Sequence, residues 1–307
     1  MKKLYMLILF LFAIVLLILL VFYNRYSFAY EEEKSHDYIS KNIDILEENL
    51  NLEKQYALAL SLMISKNKAI QNALVSNNQQ LALYEIHKVL NDIKTSTKID
   101  NIDIQIHTRD TRAFARNWDT SDYFGVKLDA FRKGLLRVKE TKEPFVSVEL
   151  GKRLNIKAIS PIFDEERNFI GSIEVIMDFK NIKKRLKKFN LSMIALLDKK
   201  YIDIAVDLKE HKQLGNYFVV EKNYSHGLFE KLEKNSKILL KERFFYKIDD
   251  DVIALVPMKS LGIEEVGVIA LAIGSVDKVV YTYSLDELTL ENSEYIYNAN
   301  NREVIIK

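Results

Sequence analysis

Arg116 and Trp118 are the residues of this sequence best suited to hold a small ligand. A guanidinium can bind a carboxylate through two parallel hydrogen bonds, and a nearby indole ring supplies an apolar wall or a face that attracts cations. The structural alternative is that Arg116 pairs with Asp110 or Asp119 while Trp118 fills the core. Both interpretations stay open at the level of sequence.

A second group of side chains in the same stretch could contact a polar ligand: His107, Asp110, Tyr123, Arg132 and Glu149. His107 and Asp110 stand at the end of a predicted strand, and a histidine there is expected to titrate near its usual pKa of about 6.5. Arg132 is predicted on a helix and Glu149 on the next strand, where a buried charge needs a ligand or an ion-pair partner. Tyr123 is typical of a pocket wall or of the core.

No catalytic signature accompanies these residues. The sequence has no Gly-x-Ser-x-Gly elbow, no Gly-rich phosphate loop, no His-Glu-x-x-His pair and no cysteine. The other histidines do not stand at metal-ligand spacing: His36, His87, His211 and His226. We therefore expect a protein that is not an enzyme and holds neither a metal nor a cofactor.

The charge balance argues against a nucleic-acid partner. Lys and Arg number 45 and Asp and Glu 43, so the formal net charge is only +2. Because the chain has no cysteine, its fold does not depend on disulfides.

The N-terminal residues predict a membrane anchor. Residues 4–23 are uncharged and mostly aliphatic or aromatic, and as a helix they would span about 30 Å, the thickness of a bilayer core. Lys2 and Lys3 place the N-terminus in the cytoplasm, which puts residues 31–307 outside the inner membrane. The alternative is a signal peptide cut after Ala29, but its apolar stretch would be unusually long.

Residues 31–99 are predicted to be helical. Apolar residues recur at helical spacing, with Glu and Lys between them, up to about Val75, where Ser76-Asn77-Asn78 breaks the helix before a second one begins. The long amphipathic helix is a candidate dimerisation element. After Lys98 the pattern changes to strands, and residues 156–163 and 170–179 are predicted to form an antiparallel hairpin.

A weak repeat indicates two similar subdomains. Pro161 and Gly171 stand in the same apolar context as Pro257 and Gly267, and the proline precedes the glycine by ten residues in both copies. Residues 181–190 between the copies form a basic amphipathic connector. A membrane-surface or nucleic-acid role is conceivable for it, but a solvated helix face is the more common explanation of such a pattern.

An ordered series of motifs resembles the double-Cache sensory domains, in particular the subgroup described as the double sensory domain of two-component sensor kinases. The series is His107-Thr108-Arg109-Asp110, Phe114-Ala115-Arg116-Asn117-Trp118, Leu128-Asp129-Ala130-Phe131-Arg132, Thr141-Lys142-Glu143-Pro144, Val148-Glu149-Leu150-Gly151, Ile159-Ser160-Pro161-Ile162-Phe163-Asp164 and Ile170-Gly171-Ser172-Ile173-Glu174. The motifs cover residues 100–178, and beyond residue 190 the likeness is mainly one of strand pattern.

The resemblance implies an α+β fold with two tandem PAS-like antiparallel sheets behind the long helix. It implies a membrane-distal subdomain at 65–180 with the small-molecule pocket, a membrane-proximal subdomain at 191–275 and a tail at 276–307. Arg116-x-Trp118 is similar to the pocket signature of Cache domains that bind amines or carboxylates, so a small polar ligand of that class is expected.

Such sensors usually cross the membrane a second time to reach an output module. Here the sequence ends at Lys307 after a mixed, polar stretch. We therefore expect a sensor that passes its signal to a partner membrane signalling protein. Two alternatives remain: an assembly subunit that no longer binds ligand, and a truncated chemoreceptor or sensor kinase.

Overall fold

The chain is α+β, as predicted. A computed structural model describes residues 2–97, 99, 101–118, 123–129, 132–240, 245–248, 251–261, 263–274, 295–298 and 303–306. The helices are α1 Lys2–Ser65, α2 Lys68–Val75, α3 Gln79–Ser96, α4 Lys133–Thr141, α5 Lys180–Leu186 and α6 His226–Lys234.

The first helix, α1, is continuous over 64 residues, a length of about 100 Å. Its Phe10–Ser27 stretch has a mean hydropathy of 2.0 and is long and apolar enough to cross a membrane, a test that a signal sequence near the N-terminus also passes. The predicted continuation to Val75 is wrong. The helix ends at Ser65, because Asn67 caps α2 by accepting hydrogen bonds from the amides of Ala69 and Ile70 at 2.8 and 3.2 Å.

The first sheet is antiparallel and has five strands in the order β2-β1-β5-β4-β3. The strands are β1 Ile102–Thr108, β2 Ala113–Arg116, β3 Phe145–Leu150, β4 Leu154–Phe163 and β5 Phe169–Met177. The predicted hairpin is confirmed, since β4 and β5 pair in antiparallel register.

The second sheet has six strands in the order β7-β8-β6-β11-β10-β9. They are β6 Leu191–Asp198, β7 Gln213–Leu214, β8 Tyr217–Val219, β9 Phe245–Ile248, β10 Asp251–Ser260 and β11 Glu264–Ile273. A separate two-stranded hairpin, β12 Tyr295–Asn298 with β13 Glu303–Ile306, lies within the C-terminal tail.

The repeat seen in the sequence is also a repeat of register. Gly171 pairs with Ile162, and Gly267 pairs with Met258, and in both hairpins the register shifts immediately after that pair. A Cβ at either glycine would collide with the backbone carbonyl of the neighbouring strand, which belongs to His107 in one copy and Leu196 in the other. The prediction of two subdomains of similar sheet topology is thus confirmed.

Each sheet turns one face toward α1, and we call the opposite side its far face. The main hydrophobic core runs along α1 and takes in the α1-facing side chains of both sheets. The far face of the second sheet packs against α6 through Leu228, Phe229 and Leu232. The far face of the first sheet has only a small apolar cluster, because most of its central positions are polar.

Candidate ligand-binding site

The far face of the first sheet has an unusual set of buried polar side chains. Alternation along the strands turns every second residue away from α1. The residues on this face that are polar and buried are Gln105 and His107 on β1, Ser147 and Glu149 on β3, Asn155 and Lys157 on β4, and Ser172 and Glu174 on β5. Four of these side chains have a buried atom without a hydrogen-bond partner within the described protein: His107, Ser147, Glu149 and Glu174.

Arg132 is the centre of this set. Its Nε donates to Glu149 Oε1 at 3.4 Å, and its Nη2 forms a close ion pair with Glu174 Oε1. Burial lowers the pKa of Arg132, but the two carboxylates raise it by more, so the guanidinium remains charged. The sequence analysis predicted Arg132 on a helix, but the residue immediately precedes α4. Within α4, the Gly134 amide also donates to Glu149 Oε1 at 3.1 Å.

His107 is completely buried beside this ion pair. Its Nδ1 is 3.2 Å from Ser172 Oγ and its Nε2 is 3.7 Å from Glu174 Oε2. Burial and then the charge of Arg132 hold the pKa of His107 well below its usual value, so the ring is neutral at physiological pH. The expectation that His107 titrates near 6.5 is therefore wrong.

Lys157 is the second buried cation. Burial and then the charge of Arg132 lower its pKa to about 8, against the opposing effect of Glu149 and Glu174. Its head group lies against Gly151, where an added Cβ would be 2.6 Å from Nζ. An added Cβ at Gly134 would likewise be 2.7 Å from Glu149 Oε2. Two positions without a side chain thus leave room for the charged groups.

Arg116 and Trp118 stand at the edge of this face. The Arg116 guanidinium lies 4.1 Å from the centroid of the Tyr123 ring and 5.5 Å from that of Trp118. The Arg153 guanidinium is also 5.5 Å from the Trp118 ring, and its Nη2 donates to Asp103 Oδ2 at 3.0 Å. The indole is therefore flanked by two cations that hold its orientation.

A cavity of about 70 Å³ opens between these groups. It is lined by Gln105, Arg116, Trp118, Leu128, Arg132, Lys152, Arg153, Asn155, Lys157, Ile176 and Asp207. Five of the lining side chains are cationic and one is acidic. Arg132 and Lys157 line the cavity, whereas Glu149 and Glu174 lie behind them and do not.

The structure brings most of the predicted site residues together. Arg116, Trp118 and Arg132 line the cavity, and His107 and Glu149 belong to the buried set on the same face. Tyr123 is buried below the Arg116 guanidinium, whereas Asp110 is exposed in the turn after β1.

Sequence reasoning missed Lys157, Glu174 and Arg153. A signal for the first two was present, since each is the single charged residue of an otherwise uncharged strand.

The second sheet provides an internal comparison for this set. At the equivalent register positions it has Leu196 for His107, Ile253 for Lys157, Ala270 for Glu174 and Ile248 for Glu149. These four apolar residues are buried in the cluster that packs against α6. The same sheet topology therefore forms with an entirely apolar interior at the positions where the first sheet has charges.

A model of the dCache_3 family, the double sensory domain of two-component sensor kinase, matches residues 32–212. The chain belongs to this family. The double-Cache domain is an extracytoplasmic sensory and ligand-binding module and is not catalytic, and the apolar N-terminal stretch of α1 fits its usual place beside a membrane. Groups of three or more potential metal ligands are absent from the described residues.

The chain is similar to several solved sensory domains at low identity. The sensor domain of the Vibrio cholerae histidine kinase DctB is 14% identical, and the match covers 77% of this chain and 96% of that chain with a TM-score of 0.47. The periplasmic domain of Vibrio cholerae LuxQ is 12% identical, with 77% and 98% covered and a TM-score of 0.45.

The ligand-binding domain of the Campylobacter jejuni chemoreceptor Tlp3, solved with L-valine, is also 12% identical, with 80% and 92% covered and a TM-score of 0.38. These likenesses concern the fold alone. No curated protein matches the chain in sequence.

Proposed function

We propose that the chain is a sensor anchored in the inner membrane by α1, with residues 31–307 outside, and that it binds a small carboxylate on the far face of the first sheet. The observation that carries this proposal is the contrast between the two sheets. Buried charges cost free energy that apolar residues of similar size avoid. Because the second sheet has apolar residues at the same positions, the fold does not need the charges, and a ligand is the better reason for their presence.

The cavity favours a carboxylate over an amine. Five of its six charged lining side chains are cationic, and the two buried glutamates are screened from it by Arg132 and Lys157. A carboxylate entering here can accept hydrogen bonds from guanidinium groups, which form strong bidentate pairs with such anions. A volume of about 70 Å³ suits a ligand of a few heavy atoms, since a water occupies about 30 Å³ in the liquid.

Strand β3 offers a route from the pocket to the second subdomain. Glu149 accepts from Arg132, and its two neighbours contact the end of β10 and the turn after it. The Leu261 amide donates to Val148 O at 3.1 Å, and the Leu150 amide donates to Ser260 Oγ at 3.4 Å. A ligand that draws Arg132 away from Glu149 would alter this contact. The change would reach a partner membrane signalling protein through α1, as a population shift driven by differential affinity.

An assembly role without ligand is the second candidate. Three large apolar side chains on α1 are exposed at helical spacing, Leu52, Tyr56 and Met63. A stripe of this kind is suited to pairing with a second helix, so it supports the proposed homodimer and also a docking function.

Thermal unfolding of the full chain in detergent tests the ligand proposal. The panel consists of formate, acetate, lactate and malonate, with acetamide as the neutral counterpart of acetate and methylamine as a cation. We expect at least one carboxylate to stabilise the protein, by about 2.7 kcal/mol at a hundredfold excess over its dissociation constant, and acetamide and methylamine to have no effect.

Two arginine variants separate binding from structure. Arg116→Ala should remove the stabilisation by the carboxylate while leaving the unliganded melting temperature nearly unchanged. Arg109→Ala, which removes an exposed guanidinium in the turn after β1, should keep the stabilisation. A flat response to every carboxylate, or equal loss in both variants, would contradict the proposal, and a flat response with a stable crosslinked complex in membranes would favour the assembly role.

A further inference from the structure

A second cavity, larger than the first, lies at the junction of the two subdomains. It has a volume of about 760 Å³, within the range of ligand sites in proteins, and is bordered by α5, the end of β5 and the loop after β8. We call it the junction cleft. The smaller pocket shares Arg153, Asn155 and Asp207 with it as a common wall.

The junction cleft has an excess of positive charge over an apolar floor. Its cationic lining residues are Arg153, Lys180, Lys183, Lys184, Lys187 and Lys222, and its acidic ones are Asp178, Asp207 and Glu221. The floor is formed by buried Met193, Leu208 and Val220. The basic connector of the sequence thus forms one wall of a cavity, which the interpretation as a solvated helix face did not anticipate.

Lys183 and Glu221 join the two sides of the cleft. Their Nζ and Oε2 atoms are 2.7 Å apart, and Lys183 Nζ also donates to the carbonyl of Asn223 at 2.5 Å. Burial raises the pKa of Glu221 to about 7, although Lys183 opposes the shift. The ionised form of Glu221 therefore has an unfavourable desolvation free energy, and an anion from solution can compete with it for Lys183.

Helix α5 also connects the cleft to α1. Arg185 Nη2 forms an ion pair with the fully buried carboxylate of Glu53 at 2.6 Å, and Arg185 Nε donates to Asn49 Oδ1 at 2.7 Å. Asn181 Nδ2 donates to the other oxygen of Glu53 at 3.2 Å. One short helix therefore contacts both the cleft and the long helix that leads toward the membrane.

We propose that the junction cleft is a second binding site, which takes a small multivalent organic anion with phosphate or carboxylate groups. The lysines of α5 together with Lys187 and Lys222 bind the anionic groups, and the apolar floor contacts the body of the molecule. The two cavities share a wall, but the lysines proposed to bind the anion do not line the smaller pocket, so this site does not depend on the proposed carboxylate pocket.

Calorimetric titration of the full chain in detergent at constant ionic strength tests this site. The probes are pyrophosphate for phosphate groups and citrate for carboxylates. We expect one of them to bind with a stoichiometry of one, and we expect about tenfold weaker binding after Lys187→Gln with Lys222→Gln, which removes two cleft cations.

The matched control is Lys188→Gln with Lys212→Gln, which removes the same charge from exposed positions that do not line the cleft. It should bind the probe within about twofold of the wild type, since diffuse surface charge is screened by salt. Lys157→Met, which changes the smaller pocket, should also retain binding.

Three results would overturn the second site: no binding of either probe, equal weakening in both double variants, or loss of binding in Lys157→Met alone. The last result would place the anion in the smaller pocket. Binding of citrate without pyrophosphate, or the reverse, would support the site and identify its preferred chemistry.

Discussion

Lys157 is the residue at which burial and charge oppose each other most directly. It is buried beside a second cation, Arg132, and its pKa falls to about 8. Between pH 8 and 10.5 the folded chain therefore loses a proton that the unfolded chain still holds. Stability rises with pH in that window, and below pH 8 the cost of the buried charge is fully present.

We predict that Lys157→Met raises the stability of the protein, relative to the wild type, most at neutral pH. The free energy of unfolding of the variant minus that of the wild type should fall by about 3 kcal/mol between pH 7 and 10.5, because a pKa difference of one unit corresponds to about 1.4 kcal/mol. Denaturant titrations at several pH values measure this difference. A difference that stays constant with pH would contradict the buried, charged state of Lys157. Lys152→Met is the control, since it removes an exposed lysine nearby and should change stability by less than about 0.5 kcal/mol.

The sequence allowed part of the site to be predicted. Arg116 and Arg132 stand out because a guanidinium suits a carboxylate, and Trp118 because its ring can form a pocket wall; all three line the cavity. Lys157 and Glu174 were missed because their role depends on which residues face each other across strands. Sequence spacing alone does not give that register.

At the level of elements, the repeat was the most informative feature of the sequence. Pro and Gly at equal spacing predicted two equivalent hairpins, and the register of β4 with β5 matches that of β10 with β11. The end of α1 was harder to predict. Ser65-Lys66-Asn67 has neither Gly nor Pro, and the break depends on an asparagine cap that only local geometry reveals.

We predict that the two repeated glycines are equally intolerant of a side chain. Gly171→Ala and Gly267→Ala should each destabilise the protein by about 2 kcal/mol or more, because the new methyl group meets a backbone carbonyl of the adjacent strand. Gly227→Ala is the matched control. It lies in α6 with no atom within 4 Å of the added Cβ, and it should be neutral or stabilising by up to about 1 kcal/mol. Urea unfolding measures the free energy of unfolding of the three variants. Similar values for all three would show that the backbone can move apart at the two strand glycines.

At the scale of the whole molecule, one helix joins the candidate membrane span to both proposed sites. The candidate span and the part of α1 that packs on the sheets belong to a single helix, Lys2–Ser65. The first sheet packs directly on this helix, and α5 ties the junction cleft to it through Glu53. A change in either subdomain can therefore alter the packing of α1. The direction in which a signal would travel along α1 depends on which side of the membrane each end of this helix occupies.

The topology can be tested cleanly because the sequence has no cysteine, so each substitution introduces the only thiol. We predict that Lys188→Cys, at an exposed position beyond α5, reacts with a membrane-impermeant maleimide in intact spheroplasts. Lys3→Cys should react only after the membrane is permeabilised, because the basic N-terminus stays in the cytoplasm. Labelling of Lys3→Cys in intact spheroplasts would reverse the proposed orientation. A shortened protein that has lost the Lys3→Cys thiol would identify the N-terminal segment as a cleaved signal peptide instead of an anchor.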